Sequence, residues 1–297
     1  MITLSYIIAT RNRFPFLKIT LDRLINNLES DEEIVVVDGN STDETKQYLN
    51  NCLKEGKIHQ YISEPDKNQA HAWNKAMLLA KGTIIKKIID DDVFCLAAIR
   101  KCKDYMLQNT AIDVVISNDL SSSLLDHKTI TPNSRLQQFE KWKNKINPSF
   151  TFGDVHMLVR KSSLAYIGLY NTSFIMMDWE YSLRITYLQA NIAYYSGFNA
   201  LNVFHPQNVS SLKNEKLAFE QGKRAEIFFE YAGDKAEISL WSRVKIFIGN
   251  ILFRKKDQFK LDVINFENLE EIYETYYLYI NSLNNIDKYE FYNCWQS

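Results

Sequence analysis

The chain has 297 residues, 46% hydrophobic and 24% charged, which suits a globular protein with a substantial core and excludes a disordered one. A formal net charge of −1 gives no electrostatic basis for binding nucleic acid. Four scattered cysteines (Cys52, Cys95, Cys102, Cys294) make no CxxC pair and no apolar run reaches the roughly 18 to 20 residues that span a bilayer, so a cytoplasmic protein with reduced thiols is expected.

The N-terminus enters a strand directly, without the basic region, apolar core and cleavage site of a signal peptide. That strand, Leu4 to Thr10, ends in the polar turn Arg11-Asn12-Arg13. Pro15 suits the start of a helix in which Leu17, Leu21, Leu24, Ile25 and Leu28 keep helical spacing. Glu33 to Val37 is a second strand running into Asp38-Gly39-Asn40-Ser41-Thr42-Asp43. There Gly39 allows a tight turn, and Ser41 or Thr42 caps a helix beginning near Asp43. A third strand, Ile58 to Ser63, leads through Glu64-Pro65-Asp66-Lys67-Asn68 to a helix from Gln69 to Lys81, closed by Gly82. The run Ile84-Ile85-Lys86-Lys87-Ile88-Ile89-Asp90-Asp91-Asp92 is a buried strand emerging into three acids. A helix from about Val93 to Gln108 and a strand from Ile112 to Ser117 follow.

This alternation predicts an α/β fold with a mostly parallel sheet covered on both faces. Such sheets bind ligands outside the carboxyl ends of their strands. Thr10-Arg11, Asp38, Glu64-Pro65-Asp66 and Asp90-Asp91-Asp92 fall at four such ends, so one edge of the sheet is a candidate site. Three acids at the end of a buried strand repel one another and lose hydration, which calls for a positive group beside them. Hard oxygen ligands suit Mg²⁺ or Mn²⁺, and Mg²⁺ is commonly held by one or two carboxylates together with substrate phosphates. A solvated acidic turn is the alternative.

Ser121 to Pro148 is polar, with a helical period only at Arg135 to Lys143, and reads as a connection crossing the face of the domain. Val155 to Arg160 reads as a strand with His156 near its start, Ser162 to Ile167 as a short helix before Gly168, and a helix begins near Asp178 and runs to Gln189. Ile192 to Tyr195 and Leu201 to Phe204 are strand-like, and His205-Pro206 ends the second. After about Lys213 the pattern is helical, at Glu215 to Tyr231, Leu240 to Phe253 and Leu269 to Leu283. The expected division is a domain over 1–212, in halves 1–118 and 119–212, with a helical C-terminal extension over 213–297. Trp241 to Lys256 is apolar, aromatic and basic. It is either an amphipathic helix packed on the domain or a peripheral membrane contact whose cationic end meets anionic lipid.

Tyr6-Ile7-Ile8-Ala9-Thr10-Arg11-Asn12-Arg13 resembles the opening strand of family 2 glycosyltransferases, which have the GT-A nucleotide-sugar fold. Val36-Val37-Asp38-Gly39-Asn40-Ser41-Thr42-Asp43-Glu44-Thr45 is similar to their nucleotide-binding loop. Glu64 to Ala76, followed by Ala80-Lys81-Gly82, resembles their third signature, and Asp90-Asp91-Asp92 their DxD-type metal motif. The pattern departs from the family at Ala9, Arg11, Asn68, Ala76 and Ile89; Asn68, in place of a frequent glycine, tolerates a left-handed turn. The resemblance implies a Rossmann-like GT-A sheet with a donor-binding half (1–118) and an acceptor and catalytic half (119–212). It also implies inverting transfer from a UDP- or dTDP-sugar to a hydroxyl of a saccharide or lipid-linked saccharide. The setting would be surface polysaccharide or lipopolysaccharide assembly, at the inner face of the membrane.

Under the same resemblance, Asp38 accepts the ring N–H of uracil or thymine. Asp92 with Asp90 holds Mn²⁺ or Mg²⁺ on the diphosphate, beside Asp91, and the metal acts as a Lewis acid on the leaving group. Asp66, Asn74 and Lys75 line the ribose and sugar side. Thr10 and Arg11 lie near the base or phosphates, a surface arginine being the other reading of Arg11. Met177-Asp178-Trp179-Glu180 resembles the later acidic motif, with Asp178 as the base that deprotonates the acceptor hydroxyl. From sequence, Asp178 as a pure N-cap looks much the same. Glu180 is a second candidate or an acceptor-side residue, and Trp179 either stacks on a sugar or belongs to the core. His205 resembles the start of the loop that closes over the diphosphate, as a metal or phosphate ligand or as a satisfied polar residue. His156 resembles a position beside the acceptor pocket. Two other classes remain in view. A sugar nucleotidyltransferase normally carries a glycine-rich phosphate loop after the first strand, and Thr10-Arg11-Asn12-Arg13 has no glycine. A non-catalytic binding protein on a degenerate fold sits poorly with Asp38, Asp90, Asp92 and Asp178 together.

Overall fold

The β-branched runs of the first ninety residues form the parallel half of one sheet. A computed structural model describes residues 1–205, 215–231, 233, 268–285 and 288–295. Within it β1 (Leu4–Thr10), β2 (Glu32–Asp38), β3 (Gln60–Ser63) and β4 (Ile84–Ile88) lie parallel in the order β4-β1-β2-β3. Every residue of β2 and β4 is buried, as strands covered on both faces require. The cover comes from α1 (Phe14–Asn26), α2 (Thr45–Lys54), α3 (Gln69–Leu79) and α4 (Leu96–Gln108). Pro15 sits in the first turn of α1, which buries Phe16, Leu17, Leu21 and Leu24 against the sheet.

Beyond β4 the sheet becomes mixed. The strands β5 (Val93–Phe94), β6 (Val114–Ser123), β7 (Asp126–Asn133), β8 (Met157–Arg160), β9 (Ile192–Phe204) and β10 (Phe291–Asn293) complete it. β8 lies antiparallel between β4 and β6, β9 runs parallel to β6, and β10 pairs antiparallel with β9 at the edge. Among the described residues the remaining helices are α5 (Leu136–Lys143), α6 (Leu164–Ile167), α7 (Met177–Tyr187), α8 (Glu215–Phe228) and α9 (Leu269–Asn284). Among the described residues no helix is long and apolar enough to cross a membrane.

Several local expectations change. The polar stretch from Ser121 is partly a hairpin of β6 and β7, and β7 is exposed along nearly all its length, so it carries no alternation. Val93 and Phe94 pair with β9 before α4 begins. The two strand-like runs near residues 192 and 204 are the ends of one strand, whose register with β6 slips between Ser117 and Leu120. Gly82 does not close α3 as a left-handed cap. A Cβ there would fall 2.7 Å from the Ser5 amide nitrogen, so close approach of two backbones is what requires glycine. Asn68 is extended, with φ −169°, and caps α3 by accepting from the His71 N–H at 3.1 Å. The left-handed residue after β2 is Asn40, with φ 64°.

α9 buries Leu269, Tyr273, Tyr276, Tyr277 and Ile280 in the same core as Leu4, Tyr6, Ile8 and Phe16. The helix Leu269–Asn284 and the strand Phe291–Asn293 therefore share a core and a sheet with the residues before position 205. The helix expected at Leu240 to Phe253, the basic run to Lys256 and the loop through Asn208 to Ser210 lie outside the described residues.

Candidate active site

The strand ends open into two adjoining clefts. The first, about 230 Å³, is walled by Thr10, Arg11, Gly39, Asp66, Lys67 and Asn68. The second, about 320 Å³, is walled by Lys87, Asp91, Asp92, Asp154, Asp178 and Asn202. Arg13, Gln69 and Ile89 line both and form the partition.

The acid turn at residues 90–92 is held from every side. Asp90, Asp91 and Asp92 are only 2%, 3% and 5% exposed. Thr10 Oγ1 donates to Asp90 Oδ2 at 2.6 Å, and the Arg13 guanidinium reaches Asp90 Oδ1 at 3.1 Å and also grips Asp91 Oδ2. His205 Nε2 lies 2.7 Å from the same Asp91 oxygen, its ring stacked on Phe16 at 4.6 Å between centroids. The turn's backbone is fastened as well: Thr20 Oγ1 donates to the Asp90 carbonyl at 2.9 Å, and the Tyr273 hydroxyl of α9 to the Asp91 carbonyl. The Val203 N–H donates to Asp92 Oδ1 at 2.8 Å.

These surroundings split three identical side chains. Burial pushes the Asp90 carboxyl up despite the Arg13 charge. Burial acts the same way on Asp91, but the His205 hydrogen bond and Arg13 outweigh it and hold that carboxyl below its ordinary value. Burial and the Asp91 charge push Asp92 well above the usual carboxylate range.

The donor set fits a hard divalent cation bound partly by substrate. Asp91 and Asp92 open on one cleft, and the buried Asp92 carboxyl has most to gain from a cation. Among the described residues no three His, Cys, Asp or Glu side chains make a metal cage, so phosphate oxygens would have to complete the shell. Of the pair expected from sequence, Asp92 lines the second cleft and Asp90 the first, where Thr10 and Arg13 hold it. His205, with a fully buried side chain, orients Asp91 and does not line the cleft.

Around the first cleft the structure separates residues that face the pocket from residues that shape it. Asp38 is 0% exposed, and both its oxygens accept from Ser41, with Ser63 Oγ at 2.6 Å as a further donor. Its carboxylate braces the β2 loop. The Asn74 amide clamps Tyr170, donating to its carbonyl and accepting from its N–H at 2.8 Å each. Lys75 bridges Asp66 at 2.6 Å and Glu64 at 2.9 Å. Asp66, Arg11 and Thr10 line the pocket itself.

On the other side Asp178, in the first turn of α7, lines the second cleft with Asp91 and Asp92. Glu180 does not. It is buried in a two-pronged pair with Arg184, both contacts 2.9 Å, and Arg184 in turn holds the Ile167 and Leu169 carbonyls. Trp179 packs on α8, where a Cβ at Gly222 would fall 2.6 Å from its ring, and edge-on to Tyr231. His156 is buried in the one-turn 3₁₀ helix Asp154–His156, its Nε2 3.2 Å from the Asn202 amide and 3.5 Å from Asp119; burial lowers its pKa. It does not itself line the cleft, but its neighbours Gly153, Val155 and Asn202 do.

Sequence reasoning missed the pair Lys87–Asp154, 2.7 Å apart, both almost wholly buried in the wall of this cleft. The Tyr170 hydroxyl donates to the same Asp154 oxygen at 2.6 Å, and Lys87 lies 4.5 Å over the Trp73 ring. A signal was present: two consecutive lysines inside a buried strand demand acceptors elsewhere in the chain.

A mixed, mostly parallel sheet flanked by helices, with an acid turn and a pocket at its carboxyl edge, is the GT-A fold. A family model described as "Glycosyl transferase family 2" matches residues 5–168, and the chain belongs to that family. S. aureus TarS (1–349) in complex with UDP-GlcNAc is similar at 17% identity, covering 88% of this chain and 76% of that one, with a TM-score of 0.63. The mannosyltransferase PcManGT from Pyrobaculum calidifontis, in complex with GDP-Man and Mn²⁺, is similar at 15% identity, covering 96% and 87%, with a TM-score of 0.56. No curated protein sequence matches the chain.

Proposed function

We propose that the chain transfers a sugar, with inversion, from a nucleoside diphosphate donor to a hydroxyl of a saccharide acceptor. One observation carries this reading: Asp178 shares a cleft with Asp91 and Asp92, and that cleft adjoins the donor pocket across Arg13, Gln69 and Ile89. Asp178 takes the proton of the acceptor hydroxyl as that oxygen forms its bond to the anomeric carbon, and the bond to the diphosphate breaks on the opposite face. Asp92 and Asp91 would hold a divalent cation together with the donor, and that cation would supply Lewis-acid stabilisation of the departing diphosphate. The donor pocket draws on residues 9–90 and the acceptor wall on residues 153–204, which suits a donor half and an acceptor half.

At the base end, Asp66 lines the pocket and is offered to the base alongside the expected Asp38. A carboxylate accepts the ring N–H of uracil or thymine, as it does that of guanine, and finds no such donor on cytosine. UDP-, dTDP- and GDP-sugars all satisfy such an acceptor, and CDP-sugars do not. Lys87, Asp154 and Asn202 give the acceptor cleft the polar walls a polyhydroxyl substrate needs.

The test is Asp178→Asn. Thermal shifts with UDP, dTDP, GDP and CDP plus Mn²⁺ should match those of the parent protein, while turnover falls about 10²- to 10⁴-fold. Turnover within threefold of the parent removes Asp178 as the base, and a product with the donor's anomeric configuration removes inversion.

A further inference from the structure

Arg13 occupies a position the proposed mechanism has not used. Its side chain is 15% exposed, it pairs with Asp90 at 3.1 Å and with Asp91, and it is the charged member of the partition between donor pocket and catalytic cleft. Buried carboxylates need a counter-ion, and in this structure Arg13 supplies one to two of the three acids of the turn. A guanidinium also matches phosphate oxygens in a fork geometry.

We propose that Arg13 is an exchangeable counter-ion and a diphosphate-binding residue. In the empty protein it neutralises Asp90 and Asp91. When a divalent cation settles on the acid turn, its charge repels the guanidinium. The donor's diphosphate, arriving at the partition Arg13 already lines, offers it a new anion. Arg13 thus disfavours a metal without a donor and favours the two together, which orders binding. The inference rests on the divalent-metal reading of the acid turn.

Opposite effects on two affinities test it. Free Mn²⁺ is followed by its electron paramagnetic resonance signal during titration of the full chain, and nucleotide affinity by calorimetry. Arg13→Gln is expected to bind Mn²⁺ alone at least tenfold more tightly than the parent. In the presence of Mn²⁺ it should bind the nucleoside diphosphate that stabilises the parent at least tenfold more weakly, with the affinity for the corresponding nucleoside unchanged. Arg13→Lys, a single-point charge without the fork, shifts both affinities the same way by a smaller factor and serves if Arg13→Gln does not fold. Loss of both affinities, or no change in either, makes Arg13 a structural support and overturns the proposal. Absence of Mn²⁺ uptake by the parent even with nucleoside diphosphate removes the metal reading, and this proposal with it.

Discussion

Lys86 is a lysine placed where an ammonium is poorly tolerated. Its side chain is 0% exposed in β4, donating to the Val155 carbonyl and to Asn199 Oδ1 at 3.1 Å, with the Phe94 ring 5.4 Å away. Burial pushes its pKa down from 10.5 to about 7. The unfolded lysine keeps its proton across that window while the folded one gives it up. Stability therefore rises with pH from about 7 towards 10.5, by about 1.4 kcal/mol per pH unit. Below the window the full cost of charging, ~5 kcal/mol, is present. Lys86→Met escapes that cost but deprives two acceptors of a donor, a pH-independent loss of about 1–3 kcal/mol. Urea unfolding of both proteins at pH 7, 8 and 9 should show the variant ahead at pH 7. Its lead should shrink by about 1 kcal/mol at each step. A lead that stays constant over this range would refute the lowering of the Lys86 pKa by burial.

Asp154→Asn keeps an acceptor for Tyr170 but leaves the buried Lys87 without a carboxylate, and should lower stability by about 3–5 kcal/mol in the same assay. An unchanged midpoint would mean that another group carries Lys87. Gly82→Ala drives a methyl into the Ser5 amide and the Leu4 carbonyl carbon, neither of which moves without opening β1 from β4. It should cost about 1–3 kcal/mol, and a melting temperature equal to the parent's would show that the crossing relaxes freely.

The parallel half of the sheet was legible because its information is local. β2 and β4 are β-branched, buried on both faces and closed by polar turns, so position and type follow from a few residues each. The hairpin of β6 and β7 was not, since an exposed edge strand such as Asp126–Asn133 has no apolar face to reveal it. In the site, the sequence placed acids at the strand ends but could not say which oxygens the protein keeps for itself. Asp38 spends its carboxylate on Ser41 and Ser63, Glu180 on Arg184, and the Asn74 amide is closed on Tyr170. Each partner is set by packing between segments, and so is Asp154, found by Lys87 across 67 residues. The helical period around Tyr273 marked a buried face without revealing that the face meets the acid turn.

That contact spans 182 residues, from Asp91 in the turn to Tyr273 in α9, and the edge strand Phe291–Asn293 comes later still. At ribosomal speeds of about 5–20 residues per second the turn waits about 10–40 s for the helix that braces it. Meanwhile the edge of β9 is unpaired and the apolar surface that α9 will cover is bare, which makes the nascent chain a client for chaperones. The donor pocket is built from the earliest part of the chain and the support of its acids from one of the latest. Competence to act on a sugar nucleotide therefore arrives with the closing of the fold, and a stalled or truncated chain carries the signature motifs without a working site.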